Sequence, residues 1–403
     1  MRRGVARRPR QHANTLTTHA NADPEEQNPN KYTLPMMLPY RLEARTSPSR
    51  TMQLAVPLIA ALLTLAIGFL IFGLVGRDPL QAMHGFFIEP LSSINGWSEL
   101  LLKASPLCLI GLGLAIGYRA NVWNIGAEGQ MLLGGIAASG VAIYFDQASG
   151  WWILPTMMAA GILGGMAWAA IPAFLKSRFN TNEILVSLML TYVATQLLIY
   201  LVSGPWRDPQ GMNFPLSEMF SGDALFPTLY GDWHWKFLRG TRLNASVFLT
   251  LIAIPLVWLF MRKSFAGYRM NVGGLAPLAA RYAGFSDKKT IWTSLLISGG
   301  LAGLAGMGEI AGPIGQLQAT WSPGYGFTAI IVVFVGRLHP LGIVLASLLM
   351  ALLYLGGEAV QTSMQLPQAL SGVFQGLLLF CLLGADLFVN YRVRRRSAAA
   401  VAR

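Results

Sequence analysis

Charge is scarce in this chain. Asp, Glu, Lys and Arg make up 12% of its 403 residues, where a soluble domain carries about 25%. Set against 54% hydrophobic residues, this deficit excludes a soluble globular protein and points to an integral membrane one. Cysteine is nearly absent. Cys108 and Cys381 both fall in apolar runs, so neither a disulfide framework nor a cysteine-ligated metal site is available. The five histidines, at 12, 19, 84, 234 and 339, are scattered, and no HExxH helix or GxSxG elbow occurs. The phosphate-binding pattern GxxxxGK(S/T) is missing too. With no catalytic constellation and no metal set, the chain does not read as an enzyme. Acidic residues are outnumbered 18 to 30, for a net charge of +12. In a polytopic protein such an excess reports inward-facing loops, so no nucleic-acid partner is expected.

What the chain has in abundance is long apolar runs. LAVPLIAALLTLAIGFLIFGLVG (54–76) is a helical span of about 20 residues and not a short alternating barrel strand. It is also too long, and begins too late, for a cleavable signal. Helices are expected near 52–76, 98–118, 127–145, 151–175, 182–203, 246–262, 290–311, 325–336, 340–362 and 368–390. The fold class is therefore an all-α integral membrane protein with about ten transmembrane helices. The run 325–336 is short for a span, and is either tilted, broken or extended by its neighbours. With both termini inside, 24 Lys/Arg fall on inner segments and five on outer ones, which favours an N-in/C-in arrangement. Residues 1–50 read as a disordered basic cytoplasmic tail, with Met36 and Met37 as alternative starts, and 392–403 as a second basic tail. The domain between them, 51–391, carries a large external loop at 204–245, rich in Trp, Pro and Gly. That loop is a short surface helix, a docking surface for an external partner, or a plain aromatic-anchored loop.

Few ionisable residues lie within the spans: Lys103, Glu128, Glu183, Glu309, Glu358 and Asp386. Each is costly in lipid and is expected to face protein or water. Glu358 and Asp386 lie near span ends, and Lys103 is able to snorkel. Glu183, Ser187, Thr191 and Thr195 repeat every four residues, on one helical face. They either line a path for a polar solute or pack against a neighbouring helix, and Asn182 is placed to cap their helix. Glu309 sits in SGGLAGLAGMGEIAGPIG, whose glycines allow close packing or local unwinding. The stretch YRANVWNIGAEGQMLLGG (118–135) concentrates Asn121, Trp123, Asn124, Glu128 and Gln130 between two apolar runs. Either Asn124 caps the next helix with Glu128 at its positive end, or the turn dips toward a translocation path.

The inner segment 264–289 contains one more element. Ala276, Pro277, Leu278, Ala279, Ala280, Arg281, Tyr282 and Ala283 read as a short helix, with proline in its first turn and Gly284 closing it. Leu275, Leu278 and Tyr282 fall on one side. An apolar edge with basic flanks is a docking element or a helix resting on lipid head groups.

Taken in order, ANVWNIGAEGQ (120–130), NEILVSLMLTYVA (182–194), GGLAPLAARYAGF (273–285) and GFTAIIVVFVGRLHPLGI (326–343) resemble permease subunits of bacterial ATP-binding-cassette (ABC) importers for nucleosides and simple sugars. The resemblance spans roughly residues 50–390, and NIGAEGQ is most similar to the nucleoside branch. It implies a fold of the type II importer kind in the bacterial inner membrane. A second permease subunit, or a copy of this chain, would complete the pathway. A cytoplasmic ABC ATPase would hold the ATP and Mg, with no cofactor in this chain, and an external lipoprotein or periplasmic binding protein would deliver the solute. Residues 276–284 would be the ATPase coupling helix. Asn121, Trp123, Asn124, Glu128, Gln130, Glu183, Ser187, Thr191, Thr195 and Glu309 are the candidate pathway residues. Two alternatives stand beside a nucleoside cargo: a simple sugar such as ribose or galactose, and an ion-coupled secondary transporter.

Overall fold

The computed structural model describes residues 40–44, 50–145, 150–367 and 369–395. Most of the expected N-terminal tail and the last residues of the C-terminal one lie outside these. Two units are distinguished. In the smaller, β1 (Tyr40–Ala44) pairs antiparallel with β2 (Tyr391–Arg395), and Arg392 bonds Glu43 at 3.3 Å. This ribbon was not expected from the polar tails.

The larger unit, residues 49–389, is helical. Its elements are α1 (Arg50–Leu74), α2 (Pro79–Phe87), α3 (Ile94–Arg119), α4 (Ala127–Tyr144), α5 (Ile153–Phe179) and α6 (Glu183–Ser203). After a long loop come α7 (Ser246–Lys263), α8 (Phe265–Leu275), α9 (Pro277–Tyr282) and α10 (Asp287–Glu309), which ends in a π-turn at Ile310–Ile314. The last elements are α11 (Tyr325–Val335), α12 (Pro340–Met364) and α13 (Ala369–Asn390). Among the described residues, seven helices are long and apolar enough to cross a membrane, while Leu58–Leu74 and Tyr325–Val335 are shorter apolar helices. All ten expected spans coincide with a helix. The short α2 and α8 were not anticipated.

Local chemistry sets the boundaries. Asp78 accepts the Leu80 N–H at the start of α2, Ser93 the Gly96 N–H of α3, and Asn182 the Ile184 N–H of α6. Asn180 and Gln365 end α5 and α12 in the left-handed region.

Burial is uneven. From Ala104 to Tyr118 every residue of α3 is buried, as expected for a helix apolar on all sides. It is wrapped by α7, α10, α11 and α12. Beside it, α4, α5 and α10 pack backbone to backbone: a Cβ on Gly134 would collide with Gly303, and one on Gly165 with Gly299. The glycines around Glu309 therefore serve close helix approach, one of the two roles expected of them. On α6 the pattern is inverted. Its buried stripe is Glu183, Ser187, Thr191, Ala194, Leu198 and Val202, while Leu185, Met189, Tyr192 and Tyr200 are exposed.

Candidate transport site and docking helix

The polar stretch after α3 turns back into the bundle. Arg119 donates to the Leu338 carbonyl at 2.8 Å, at the end of the bundle where α8 packs. Asn124 instead donates to Ser298 at 2.9 Å. Ser298 also packs on Gly113, six residues, or about 9 Å, before the end of α3. Asn121, in the left-handed region at φ 56°, makes the reversal, and its side chain accepts from Trp123 Nε1 at 3.2 Å. Trp123 stacks with Phe334 and lies tilted against Tyr118.

Inside this turn the hydrogen bonds close on themselves. Asn124 and Gln130 exchange two amide bonds, at 2.8 and 3.1 Å, and Asn124 Oδ1 also accepts the Gly126 N–H. Asn124 thus shapes the turn while Gly126 occupies the cap position of α4. The Glu128 carboxylate reaches across to α11: Ser322 Oγ donates to one oxygen and the Gly326 N–H to the other, each at 2.6 Å. It caps the first turn of α11, not of its own helix, and puts negative charge at that positive end. Gly326 is required there, because a Cβ would strike the Glu128 backbone. The segment 315–324 leads into this short helix. Leu317 and Gly315 bond Ser217 and Phe220 of the 204–245 loop, and Trp321 then packs beside Gly135 before α11 begins at Glu128.

The α6 stripe faces α4. Ser187 Oγ accepts the Ile125 N–H at 3.3 Å, and Gly126 and Gly129 lie against Ser187 and Thr191. Thr191 and Thr195 donate to carbonyls one turn back. Glu183 pairs with Lys176 at 3.0 Å. These contacts show the stripe packing against α4, and neither the stripe nor Asn124, Glu128 and Gln130 line the cavities described below.

Two cavities lie at the end of the bundle that carries the 204–245 loop. One, of about 400 Å³, is lined by Glu99, Lys103, Arg242, Glu309, Trp321 and Glu358, among others. A second, of about 550 Å³, shares Glu99, Arg242 and Glu358. Lys103 bonds Glu358 at 2.9 Å. Arg242 forks both nitrogens onto Glu99 at 2.9 Å, and these bonds hold its guanidinium above its usual pKa. Glu309 has no hydrogen-bond or ion-pair partner among the described residues. The loop wall carries two short 3-10 turns, Gly222–Ala224 and Lys236–Leu238.

At the opposite end stands α9. Ala276 precedes it, Pro277 opens it, Ala283 follows it, and Gly284 turns at φ 79°. Leu275 and Leu278 are each 80% exposed and Tyr282 97%, whereas Ala280 is buried. Arg281 bonds Asp287 at 2.7 Å.

Residues 96–383 match the family described as branched-chain amino acid transport system permease component. This chain belongs to that family of ABC importer permeases. The permease is 35% identical to the glucose ABC transporter permease TsgB13 of Haloferax volcanii, over 87% of this chain and 94% of that one. It is 30% identical to the guanosine ABC transporter permease NupP of Bacillus subtilis, over 87% of this chain and 99% of the other. It is 29% identical to a second guanosine permease of that organism, NupQ, over 62% and 77%. It is thus a multi-pass, non-catalytic transport subunit of an ABC importer, a class that acts with an ATPase and a solute-binding protein.

Sequence reasoning singled out Glu309 but missed the cavity around it. Trp321, Arg242 and Glu99 carried no motif. The only advance signals were Lys103 and Glu358, two intramembrane charges of opposite sign.

Proposed function

We propose that this permease is one of two subunits lining the pathway of an ABC importer for a nucleoside, with ten spans in the type II arrangement and both termini inside. The observation that carries the energy-coupling part is α9. Leu278 and Tyr282 on α9, with Leu275 at the end of α8 just before it, stand exposed beside Arg281, Lys288 and Lys289. Such an edge fits a groove of a cytoplasmic ATPase. ATP-driven closure of that ATPase would move α9 and, through α8 and α10, the bundle. The ten-span reading counts α1, α4 and α11 with the seven long apolar helices. Counting α11 with its lead-in segment 315–324 also gives the even number that two inside termini need.

Likeness to both NupP and NupQ supports pairing with a second, related permease, across exposed apolar faces such as that of α6. An external lipoprotein or periplasmic protein would deliver the solute to the 204–245 side. Asn121–Gln130 and the α6 stripe then act as scaffold beside the pathway, and Glu309 remains as a pathway residue. Glucose is the second reading, favoured by the 35% identity to TsgB13.

The test is uptake by the complete complex in proteoliposomes, with labelled guanosine and D-glucose. ATP-dependent accumulation of guanosine supports the nucleoside reading, accumulation of glucose alone replaces it, and uptake driven by a proton gradient without the ATPase rejects the ABC mechanism. In the same vesicles Leu278→Glu with Tyr282→Glu abolishes solute-stimulated ATP hydrolysis while the helical content of the chain is kept. These exposed positions are the informative ones, because Ala280 is buried and changing it would disturb packing instead.

A further inference from the structure

We infer that the 400 Å³ cavity beside Glu309 is a transient binding site, within this single subunit, for a neutral solute that presents a pair of adjacent ring hydroxyls. The inference rests on the permease reading above and names where the solute is held on its way through. Three observations converge on it. The cavity has the size of sites for small ring compounds, which run from about 300 Å³ upward. Its charges are unequally spent: Lys103 is committed to Glu358 and Arg242 to Glu99, which leaves the Glu309 carboxylate as the one acid of the three without a partner among the described residues. Trp321, 6% exposed, contributes an aromatic ring to the wall.

An ionisable side chain at the end of a membrane-spanning helix is costly to leave unpaired. A carboxylate offers two acceptor oxygens, which match two neighbouring hydroxyl donors. The indole adds an apolar face. Ribose of a nucleoside and a hexose share this hydroxyl pair, so the site is read for the chemistry common to both. Three carboxylates against two cations make the lining formally negative, which disfavours phosphorylated solutes. The interaction is weak by design, since a transport site must release what it takes up.

The test uses the assembled importer in proteoliposomes. Thr320, an exposed residue of the cavity lining, is changed to Cys and labelled with a membrane-impermeant maleimide from the side of the 204–245 loop. Cys108 and Cys381 are buried and give little background. Guanosine and D-glucose are tested at millimolar concentration, with guanosine monophosphate as the charged control. Whichever neutral solute the unsubstituted importer accumulates is expected to slow labelling several-fold. The monophosphate should not do so, and Glu309→Gln should remove the protection. Should that variant fail to assemble, Glu309→Asp, which keeps the carboxylate and shortens its reach, is read instead, with weakened protection expected. Labelling unaffected by a solute that is accumulated, or protection unchanged by these substitutions, overturns the site while leaving the permease reading intact. Accumulation of neither solute removes the cargo reading and the site with it.

Discussion

Glu128 and Glu309 sit on α4 and α10, two helices packed against each other through glycine, yet their surroundings are opposite. The Glu128 carboxylate is answered from within the chain. Its two oxygens take Ser322 and Gly326, and a few residues away Asn124, Gln130 and Ser298 satisfy one another. Around Glu309 there is a cavity and a carboxylate without a hydrogen-bond or ion-pair partner among the described residues. The first arrangement fixes backbone: it holds the turn before α4 and the start of the short α11 in register. The second keeps hydrogen-bonding capacity in reserve. The difference teaches that polar residues in a membrane protein can be committed to backbone in one place and left uncommitted in another. A motif dense in polar residues marks the place where irregular backbone in a membrane must be paid for in hydrogen bonds.

The sharpest way to break this comparison is to remove the centre of the closed cluster. Asn124→Leu strands Gln130 and Ser298, each unsatisfied group costing about 1–3 kcal/mol. The expected outcome is loss of monodisperse, folded protein in detergent, read by size-exclusion chromatography. A smaller effect is expected for Glu128→Gln, whose amide has one acceptor oxygen to offer where Ser322 and Gly326 need two. That variant should fold with a lowered Tm, by an amount corresponding to about 1–3 kcal/mol for one unmet donor. The smallest effect belongs to Ser187→Ala with Thr191→Ala on the α6 stripe. Hydrogen bonds between membrane helices average about 0.6 kcal/mol, so Tm should barely move and uptake should be unchanged. A large loss of uptake from this pair would return the stripe to the pathway.

Much of the fold was legible in the sequence because membrane helices announce themselves by length and apolarity. Local signals held as well: Asn182 caps α6, and Gly284 follows α9 in the left-handed conformation. What was not legible depends on partners far apart in the chain. Glu128 reads as a residue of its own helix's first turn, and only the fold brings Gly326, 198 positions later, to its carboxylate. Lys103 likewise finds Glu358 only from 255 positions away. The α6 stripe was ambiguous for a different reason. Ser and Thr at four-residue spacing bond their own helix's carbonyls as readily as a solute, so periodicity alone does not say what they face. α2 escaped notice because it is too short to span, and α8 because three of its eleven residues are glycine.

The most direct test of the account is the KM for ATP-driven solute uptake by Glu128→Gln and Glu309→Gln, measured side by side in the reconstituted importer. The account predicts that Glu128→Gln leaves KM within error of the unsubstituted protein. Glu309→Gln should raise it about tenfold, the equivalent of one lost hydrogen bond to a charged group. A raised KM for Glu128→Gln together with an unchanged one for Glu309→Gln would contradict it.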